Sequence, residues 1–129
     1  KAELSDYKQI AAIYEKYQAN IEENNLVDFD DLLMLTYKIL DENETLRKET
    51  SKRYQYIMVD EYQDTNELQY RLLEHLCCEH ENICVVGDDD QSIYGWRGAN
   101  IRNILEFADN FKETKTVKLE TNCRSTEPI

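Results

Sequence analysis

Glycine and proline are scarce in this chain of 129 residues, which contains three glycines and one proline. Because these residues build many tight turns, we expect few turns and long helices. The sequence has no run of about 18 apolar residues, so it predicts no segment that crosses a membrane. Hydrophobic residues make up 41% and charged residues 33% of the chain. This balance is typical of one folded domain and excludes a disordered tail or a collagen-like fibre.

Cysteine is present but forms no C-x-x-C pair. This pattern is typical of reduced thiols that serve as small apolar residues, and we expect a cytoplasmic protein. His75 and His80 lie near two of the cysteines and suggest a zinc site. They fall on different faces of a predicted helix, so packing is favoured over metal binding. The four cysteines are Cys77, Cys78, Cys84 and Cys123.

The phosphate-binding pattern G-x-x-x-x-G-K-[ST] is also absent, so the chain lacks the backbone cradle and lysine that hold a triphosphate. The sequence begins at Lys1 without a signal-like segment. We therefore expect a piece of a larger protein. The formal net charge is −12, from 15 basic and 27 acidic residues. An acidic surface repels phosphate backbones, which argues against a strong, autonomous nucleic-acid-binding domain.

Two amphipathic helices are predicted near the start of the chain. Residues 5–24 carry apolar side chains at steps of three and four, with Ser5 as the N-cap. Asp28 caps a second helix, and Asp31 completes a capping box. Residues 41–53 are highly charged and predict a short helix or a solvated helical turn. The apolar stripe of the first helix consists of Tyr7, Ile10, Tyr14, Tyr17 and Ile21.

The pattern changes to α/β in the second part of the chain. Short apolar runs at 56–59 and 83–86 predict two buried strands, and residues 116–119 predict a third. One predicted helix opens at Asp64 and another lies near 100–110. Strands joined by helical crossovers of this length indicate a parallel sheet.

Two carboxylates, Asp60 and Glu61, follow the first predicted strand at the edge where open α/β sheets place their ligands. Successive side chains on a strand diverge, so one acid can hold a magnesium ion while the other orients or deprotonates an attacking water. Arg124, just beyond the third predicted strand, can reach the same crevice and neutralise phosphate charge. The alternative is two exposed acids and a surface arginine, since short motifs of this kind are common.

A polar and aromatic loop follows the second predicted strand. The three acids at 88–90 bind a cation or form a solvated loop, and the neutral Gln91 suits contact with a phosphate or a water. Tyr94, Trp96 and Arg97 present flat surfaces that can stack unpaired bases. The alternative is that both aromatic side chains pack in the core.

Taken in order, these segments resemble the UvrD/Rep/PcrA family of superfamily 1 DNA helicases. Residues 59–66 are similar to helicase motif II, residues 86–99 to motif III and residues 119–126 to motif IV. Residues 28–32 resemble a further family segment. The resemblance covers about residues 26–129 and is specific, because a long pattern in the right order and spacing is hard to reach by chance.

The resemblance implies an α/β fold: a partial RecA-like parallel sheet of the P-loop NTPase type, with its first strands missing, preceded by helices of the 1B insertion. Residues 1–25 would be the end of the helical 1B subdomain, and residues 26–129 the C-terminal part of motor domain 1A. In this family the strand that feeds the phosphate loop lies between the strands of motifs III and IV. Because this chain lacks it, we expect either a shift of strand 116–119 onto strand 83–86 or self-association through exposed sheet edges.

The resemblance also implies roles for the site residues. Asp60 would coordinate the magnesium of MgATP, and Glu61 would activate the hydrolytic water beside the metal. Gln91 would sense the γ-phosphate and link it to DNA, and Arg124 would act as an internal arginine finger. The residues expected to contact single-stranded DNA are Tyr94, Trp96 and Arg97. Stacking on DNA is then favoured over core packing for the two aromatic side chains.

One residue departs from the family pattern. Cys123 occupies the position before the motif IV arginine, where the family usually has a tyrosine that stacks on adenine. A thiol offers no ring face, so we expect weaker adenine stacking in the parent protein.

The implied function is that of an ATP-dependent 3′–5′ DNA helicase, which couples MgATP hydrolysis to movement on single-stranded DNA and to duplex unwinding, as in DNA repair. The isolated chain would be inactive because it lacks the phosphate loop. A related alternative is a helicase–nuclease subunit of the AddA or RecB kind. Another is a non-catalytic interaction module with degenerate motifs, in which an acidic helical hairpin binds a partner. A metal-dependent phosphatase or nuclease is disfavoured, because two-metal sites usually need more convergent ligands.

Overall fold

The computed structural model describes most of the chain, namely residues 2–111, 113–121 and 124. The chain divides into two compact units. The first comprises residues 1–55 and 68–80, and the second comprises residues 56–67 and 81–129. No helix among the described residues combines the length and apolar character that a membrane span requires.

Helices make up the first unit. Their bounds are Ala2–Glu23 for α1, Phe29–Glu42 for α2, Glu44–Arg53 for α3 and Glu67–Cys77 for α4, whose first residue belongs to the second unit. The predicted helix at 5–24 is therefore confirmed. The prediction at 41–53 is confirmed for residues 44–53, since Asp41 and Glu42 still belong to α2. The N-cap prediction at Ser5 is wrong, because α1 already begins at Ala2 and continues through that residue.

The apolar stripe of α1 is exposed along most of its length. Ile21 is buried, whereas Tyr7 is 71% exposed and Tyr17 is 45% exposed. Apolar side chains on one face of a helix normally pack against another element. The stripe is therefore a face that the described residues leave largely uncovered.

A capping box starts α2, as the sequence predicts. The Asp31 backbone amide donates to Asp28 Oδ1 at 2.8 Å, and the Asp28 backbone amide donates to Asp31 Oδ2 at 3.2 Å. The hydroxyl of Tyr17 donates to Asp28 Oδ2 at 2.8 Å. Because Tyr17 lies on α1, Asp28 joins the start of α2 to the preceding helix.

Two histidines make structural contacts within the first unit. His80 Nε2 lies 2.9 Å from the backbone oxygen of Tyr54, just beyond the end of α3. The ring of His75 stacks on that of Tyr37 with 5.1 Å between centroids, and its Nε2 lies 3.2 Å from Asp41 Oδ1. Each imidazole ring thus has a neighbour that holds a helix or its end in place.

The described part of the second unit contains two short strands, two short helices and three 3-10 turns. The two strands are parallel, and their register places Ile57 opposite Ile83 and Val59 opposite Val85. The element bounds are Ile57–Val59 for β1, Ile83–Val85 for β2, Arg102–Leu105 for α5 and Phe107–Asn110 for α6.

The sequence predictions for this unit are confirmed in part. Both predicted strands are found, and they run parallel as expected. The helix predicted near 100–110 is divided in two at Glu106. The helix predicted to open at Asp64 begins instead at Glu67, because residues 62–64 form a 3-10 turn.

The two strands are half-buried rather than fully buried. On one face Met58 is 81% exposed, and its register partner Cys84 is exposed as well. The side chains on the other face have intermediate burial. A parallel sheet normally has helices on both faces. The prediction of buried strands is therefore wrong for the described residues, because they provide no cover for the Met58 face.

The third predicted strand, at residues 116–119, is not formed. The sheet has two strands, and the described residues place no hydrogen-bonded strand beside the outer edge of β2. Instead, Ile83, Val85 and Val117 are among the residues that line a cavity of about 620 Å³. An extended segment becomes a strand only when its backbone groups pair with a neighbour. The expected shift of this segment onto β2 is therefore wrong.

Aromatic side chains form the core of the second unit. Tyr62 is fully buried, and its ring meets that of Phe107 edge-on with centroids 5.5 Å apart. Phe107 stacks in turn on Phe111 at 4.6 Å. Such pairs contribute roughly 0.5–1.5 kcal/mol each beyond the burial of their area. This cluster fixes the turn after β1 against α6.

A buried hydrogen-bond cluster ties the same turn to α5. Asn103 Nδ2 donates to the backbone oxygen of Thr65 at 3.2 Å and to its hydroxyl at 3.1 Å. The Asn100 backbone amide donates to the same backbone oxygen at 2.9 Å. The Thr65 hydroxyl donates to the Tyr62 backbone oxygen at 2.7 Å. Because buried polar groups are costly without partners, these bonds hold the turn in one position.

We expect the stability of the first unit to fall in acid because of Asp28. The hydrogen bonds from the Asp31 backbone amide and the Tyr17 hydroxyl hold the pKa of Asp28 below its ordinary value. A carboxyl group with a lowered folded pKa stabilises fully above its unfolded pKa, near pH 4. That contribution is lost as the pH falls through the folded value. Asp28→Asn should flatten this acid-side dependence in thermal melts followed by circular dichroism.

The matched control for this prediction is Asp30→Asn, which removes the same charge from the first turn of α2 but leaves the side-chain cap intact. Its melting temperature should keep the wild-type dependence on pH. Equal acid-side slopes for Asp28→Asn and wild type would contradict the assigned role of Asp28.

Gly87 is expected to tolerate no side chain. A Cβ at this position would lie 2.6 Å from Gln63 Oε1 and 2.8 Å from Ile104 Cδ1. Gly87→Ala should therefore lower the free energy of unfolding by about 1–3 kcal/mol, as overpacking does in cores. The control is Gly95→Ala, whose added Cβ meets nothing within 4 Å. Urea unfolding measures both, and identical midpoints would show that the close approach at Gly87 is absent in solution.

Candidate functional site

The carboxyl ends of β1 and β2 lie side by side because the strands are parallel and in register. Their hydrogen bonding continues beyond the strands. The Val86 backbone amide donates to Val59 O at 2.8 Å, and the Tyr62 amide donates to Val86 O at 3.0 Å. This edge is where open α/β sheets place their ligands. The candidate site at this edge consists of Asp60, Glu61, Gln63, Asp88, Gln91 and Arg124.

Asp60 and Glu61 are both exposed at the end of β1. Asp60 Oδ1 accepts a hydrogen bond from the Glu61 backbone amide at 2.9 Å. Glu61 has left-handed backbone angles, φ 51° and ψ 41°. For a residue with a side chain this conformation costs roughly 1–2 kcal/mol. Strain of this kind persists where the surroundings hold a residue in place, and it clusters at functional sites.

Gln63 joins the two strand ends; it lies within the motif II segment at 59–66, but no role was predicted for it. It is 1% exposed. Its Nε2 donates to Glu61 Oε2 at 2.8 Å, and its Oε1 accepts from the Asp88 backbone amide at 3.1 Å. A glutamine between a tyrosine and an aspartate is unremarkable in a sequence, and only the fold shows that it is buried and bonded at both ends.

Asp88 and Gln91 continue this chain of contacts. Asp88 Oδ2 accepts from Gln91 Nε2 at 2.6 Å, and Asp88 Oδ1 accepts from the Asp90 backbone amide at 3.1 Å. Gln91 Oε1 in turn accepts from Arg124 Nη1 at 3.5 Å. The acids at 88–90 thus organise the loop through their own backbone and side chains.

The structure brings together most of the predicted phosphate-site residues. Gln91 and Arg124 are in direct contact, and Glu61 is linked to them through Gln63 and Asp88. Asp60 is the backbone neighbour of Glu61 at the same strand end. The predicted adenine-stacking position, Cys123, lies outside the described residues.

The predicted DNA-contacting residues form an exposed platform, defined as Tyr94, Trp96 and Arg97. Trp96 is 76% exposed and Tyr94 is 37% exposed, so the alternative of core packing does not apply to Trp96. Arg97 Cζ lies 4.6 Å from the Trp96 ring centroid and 5.1 Å from that of Tyr94. The guanidinium therefore sits against both rings, with cation–π attraction to each. Flat aromatic and guanidinium surfaces of this kind can stack unpaired bases.

The platform is anchored to the turn after β1. Gly98 ends the 3-10 turn that carries Trp96, with φ 86°, a backbone conformation that favours glycine. An isolated antiparallel bridge then pairs Ala99 with Asn66. The platform and the strand-end acids therefore belong to one hydrogen-bonded framework.

The acids at the strand end fit part of a magnesium site. Mg²⁺ usually takes one or two carboxylates, and its other ligands are water and phosphate oxygens. Asp60 and Glu61 are exposed carboxylates that meet this requirement. Within residues 2–111, 113–121 and 124, no three His, Cys, Asp or Glu side chains cluster as a ready-made metal centre. The arrangement therefore suits a metal that arrives with a phosphate ligand better than a metal held by protein alone.

Comparison with known proteins identifies the family of this chain. Residues 1–112 match the family described as the UvrD/REP helicase N-terminal domain. Over 129 residues, the chain is 46% identical to proteins named ATP-dependent DNA helicase PcrA from Staphylococcus epidermidis and Staphylococcus aureus. The alignment covers 98% of this chain but 18% of each relative, so the chain spans less than a fifth of their length. Because the family match extends over most of its residues, the chain belongs to the UvrD/REP helicase family and corresponds to part of the N-terminal domain.

Proposed function

We propose that this chain is part of motor domain 1A of an ATP-dependent 3′–5′ DNA helicase, which couples MgATP hydrolysis to movement along single-stranded DNA and to duplex unwinding. The observation that carries the proposal is the chain of contacts from Glu61 to Arg124 at the carboxyl ends of two parallel strands. On this proposal residues 1–25 end the helical 1B subdomain, and residues 26–129 are the C-terminal part of the RecA-like domain.

The strand-end acids act on the MgATP substrate in this proposal. Asp60 would hold the magnesium ion of MgATP, which would neutralise charge on the phosphate tail. Glu61 orients the attacking water and accepts its proton. The fixed backbone of Glu61 supports this role, because a general base acts only within hydrogen-bond reach of the proton that it takes.

Gln91 and Arg124 act on the reacting phosphate in the same proposal. The Gln91 amide contacts the γ-phosphate or the water, and the Arg124 guanidinium stabilises the negative charge that develops on the transferred group. Their contact with each other in the structure supports this assignment, because one phosphate can then meet both side chains.

The cavity beside β2 is the proposed place of a further strand. A strand that leads into a phosphate loop would pair with the free edge of β2 and fill the cavity bordered by Val85 and Val117. We expect the 129-residue chain by itself to hydrolyse no ATP, because its sequence contains no phosphate loop. In isolation its free sheet edge offers backbone groups through which copies can associate.

The platform provides the proposed contact with single-stranded DNA. Stacking is sequence-tolerant because every base has a π-face, and Arg97 adds a local positive charge. These two features reduce the conflict between DNA binding and a net charge of −12. The bridge from Ala99 to Asn66 supports coupling of the platform to the ATP site.

Glu61→Gln tests the catalytic assignment in the full-length protein that carries this segment. Removal of a general base should lower kcat for DNA-stimulated ATP hydrolysis by about 100- to 10,000-fold. The KM for ATP should change little, since Asp60, Gln91 and Arg124 remain. The matched control is Glu106→Gln, an exposed glutamate at the junction of α5 and α6. Wild-type turnover in Glu61→Gln would remove Glu61 from the mechanism.

Trp96→Ala tests the platform. Loss of one stacking side chain should weaken binding of a fluorescent oligothymidine by about 5- to 150-fold, which corresponds to roughly 1–3 kcal/mol. The control is Tyr56→Ala, which removes an equally exposed ring, 79% accessible, from the same unit. Fluorescence anisotropy measures both affinities. The platform assignment is contradicted if the two variants bind equally well.

A further inference from the structure

We propose that Gln63 is a positioning residue, which fixes the Glu61 carboxylate and links it to the loop at residues 87–92. The inference rests on the proposed function, because it assigns Gln63 a role in placing the base for ATP hydrolysis. No role was predicted for Gln63 from the sequence. In contrast to Glu61, which is exposed, Gln63 lies in the interior at 1% exposure.

The amide of Gln63 has only one orientation that satisfies its neighbours. A backbone amide can only donate, and an ionised carboxylate can only accept. The Gln63 oxygen therefore faces the Asp88 amide at 3.1 Å, and the Gln63 nitrogen faces Glu61 Oε2 at 2.8 Å. Because the side chain is buried, water cannot replace either partner without cost. The orientation of Gln63 thus determines where one Glu61 oxygen can lie.

The loop after β2 is shaped around Gln63. At Gly87 any Cβ would come within 2.6 Å of Gln63 Oε1, so the absence of a side chain permits the close approach. The hydroxyl of Ser92 lies 3.5 Å from the Gln63 backbone oxygen, on the far side of the same loop. Gln63 therefore meets the loop at its start and at its end.

These contacts make the position of Glu61 depend on the state of the loop. Asp88 donates its backbone amide to Gln63 and accepts from Gln91 with its side chain at 2.6 Å. A shift of Gln91 on contact with phosphate therefore acts on Asp88, and through Gln63 on the Glu61 carboxylate. A displacement of about 1 Å breaks a hydrogen bond of this length, which is enough to release the carboxylate. Gln63 thereby couples the two strand ends.

Gln63→Glu removes the donor to Glu61 and preserves the shape of the side chain. Glutamate at 63 still accepts from the Asp88 amide but can no longer donate to Glu61. Because an ionised carboxylate at this buried position also costs stability, kcat is measured at a temperature where circular dichroism shows that the variant is folded. In the full-length protein we expect kcat for DNA-stimulated ATP hydrolysis to fall by about 10- to 100-fold, as for other residues that orient a catalytic group. The KM for ATP should stay unchanged.

Two companion variants complete the comparison. Gln63→Ala also loses the partner of the Asp88 amide and should lower both kcat and the melting temperature. Gln9→Glu makes the same change of charge on the exposed surface of α1 and should match wild type in kcat and KM. Wild-type kcat for Gln63→Glu overturns the proposal, whatever the result for Gln63→Ala.

A double-mutant cycle with Glu61→Gln shows whether Gln63 acts through Glu61. If it does, Gln63→Glu has no further effect on the residual kcat of Glu61→Gln, because the group that it positions is already gone. A merely structural role predicts the same fold loss in both backgrounds, and that outcome overturns the proposal. An effect that vanishes in the Glu61→Gln background, together with an unchanged KM, supports it.

Failure of the proposed function gives a different result. In that case wild-type full-length protein shows no DNA-stimulated ATP hydrolysis at all. The contact itself is then judged by nuclear magnetic resonance on this 129-residue chain. Glu61→Gln should shift the Gln63 side-chain amide and the Asp88 backbone amide resonances, and Glu106→Gln should shift neither. Unmoved resonances in Glu61→Gln overturn the link between the two strand ends.

Discussion

Parallel pairing of β1 with β2 is the interaction on which the rest of the second unit depends. It places the turn after β1 beside the loop after β2, although α4 separates them in the chain. The backbone bonds of Val86 and Tyr62 carry the pairing past the last strand residues. Every contact of the candidate site begins from these two chain segments. A shift in the register of β1 against β2 would separate Gln63 from the Asp88 amide and break the chain of contacts in the site.

The site combines a rigid interior with reactive groups at the surface. The fully buried ring of Tyr62 packs on Phe107, and the next residue, Gln63, is buried with it. Just before them, Glu61 is exposed and held in a left-handed conformation. The buried pair fixes the backbone on one side of Glu61 and the strand fixes it on the other. Strain at Glu61 is tolerable because the residues that impose it are among the best packed of the unit.

Features that depend on neighbouring residues in sequence were predictable. The capping box at Asp28 and the existence of α2 and α3 follow from local rules, and the structure has them. The parallel strands and the aromatic platform were also expected, the first from pattern and the second from family resemblance. Trp96 in particular needed the resemblance, because an isolated tryptophan more often packs in a core.

Several features that depend on distant partners were not predictable. Residues 116–119 have the apolar pattern of a strand, but a ladder needs a neighbour, and none of the residues that the structure describes pairs with them. The prediction that β1 and β2 are buried failed for a similar reason. Their apolar sequences predict cover on both faces, but Met58 is exposed. Gln63 was missed because a buried polar residue is recognisable only through the groups that satisfy it.

The path of the chain through its two units has a consequence for synthesis and for dissection. The chain crosses from the first unit to the second after residue 55, returns at residue 68 and crosses again after residue 80. The units are interleaved, so a ribosome must have released α4 before the helical unit can close. Cleavage after residue 55 alone would strip that unit of one helix rather than liberate it. The first unit is therefore complete only when residues 68–80 follow residues 56–67 in one continuous chain.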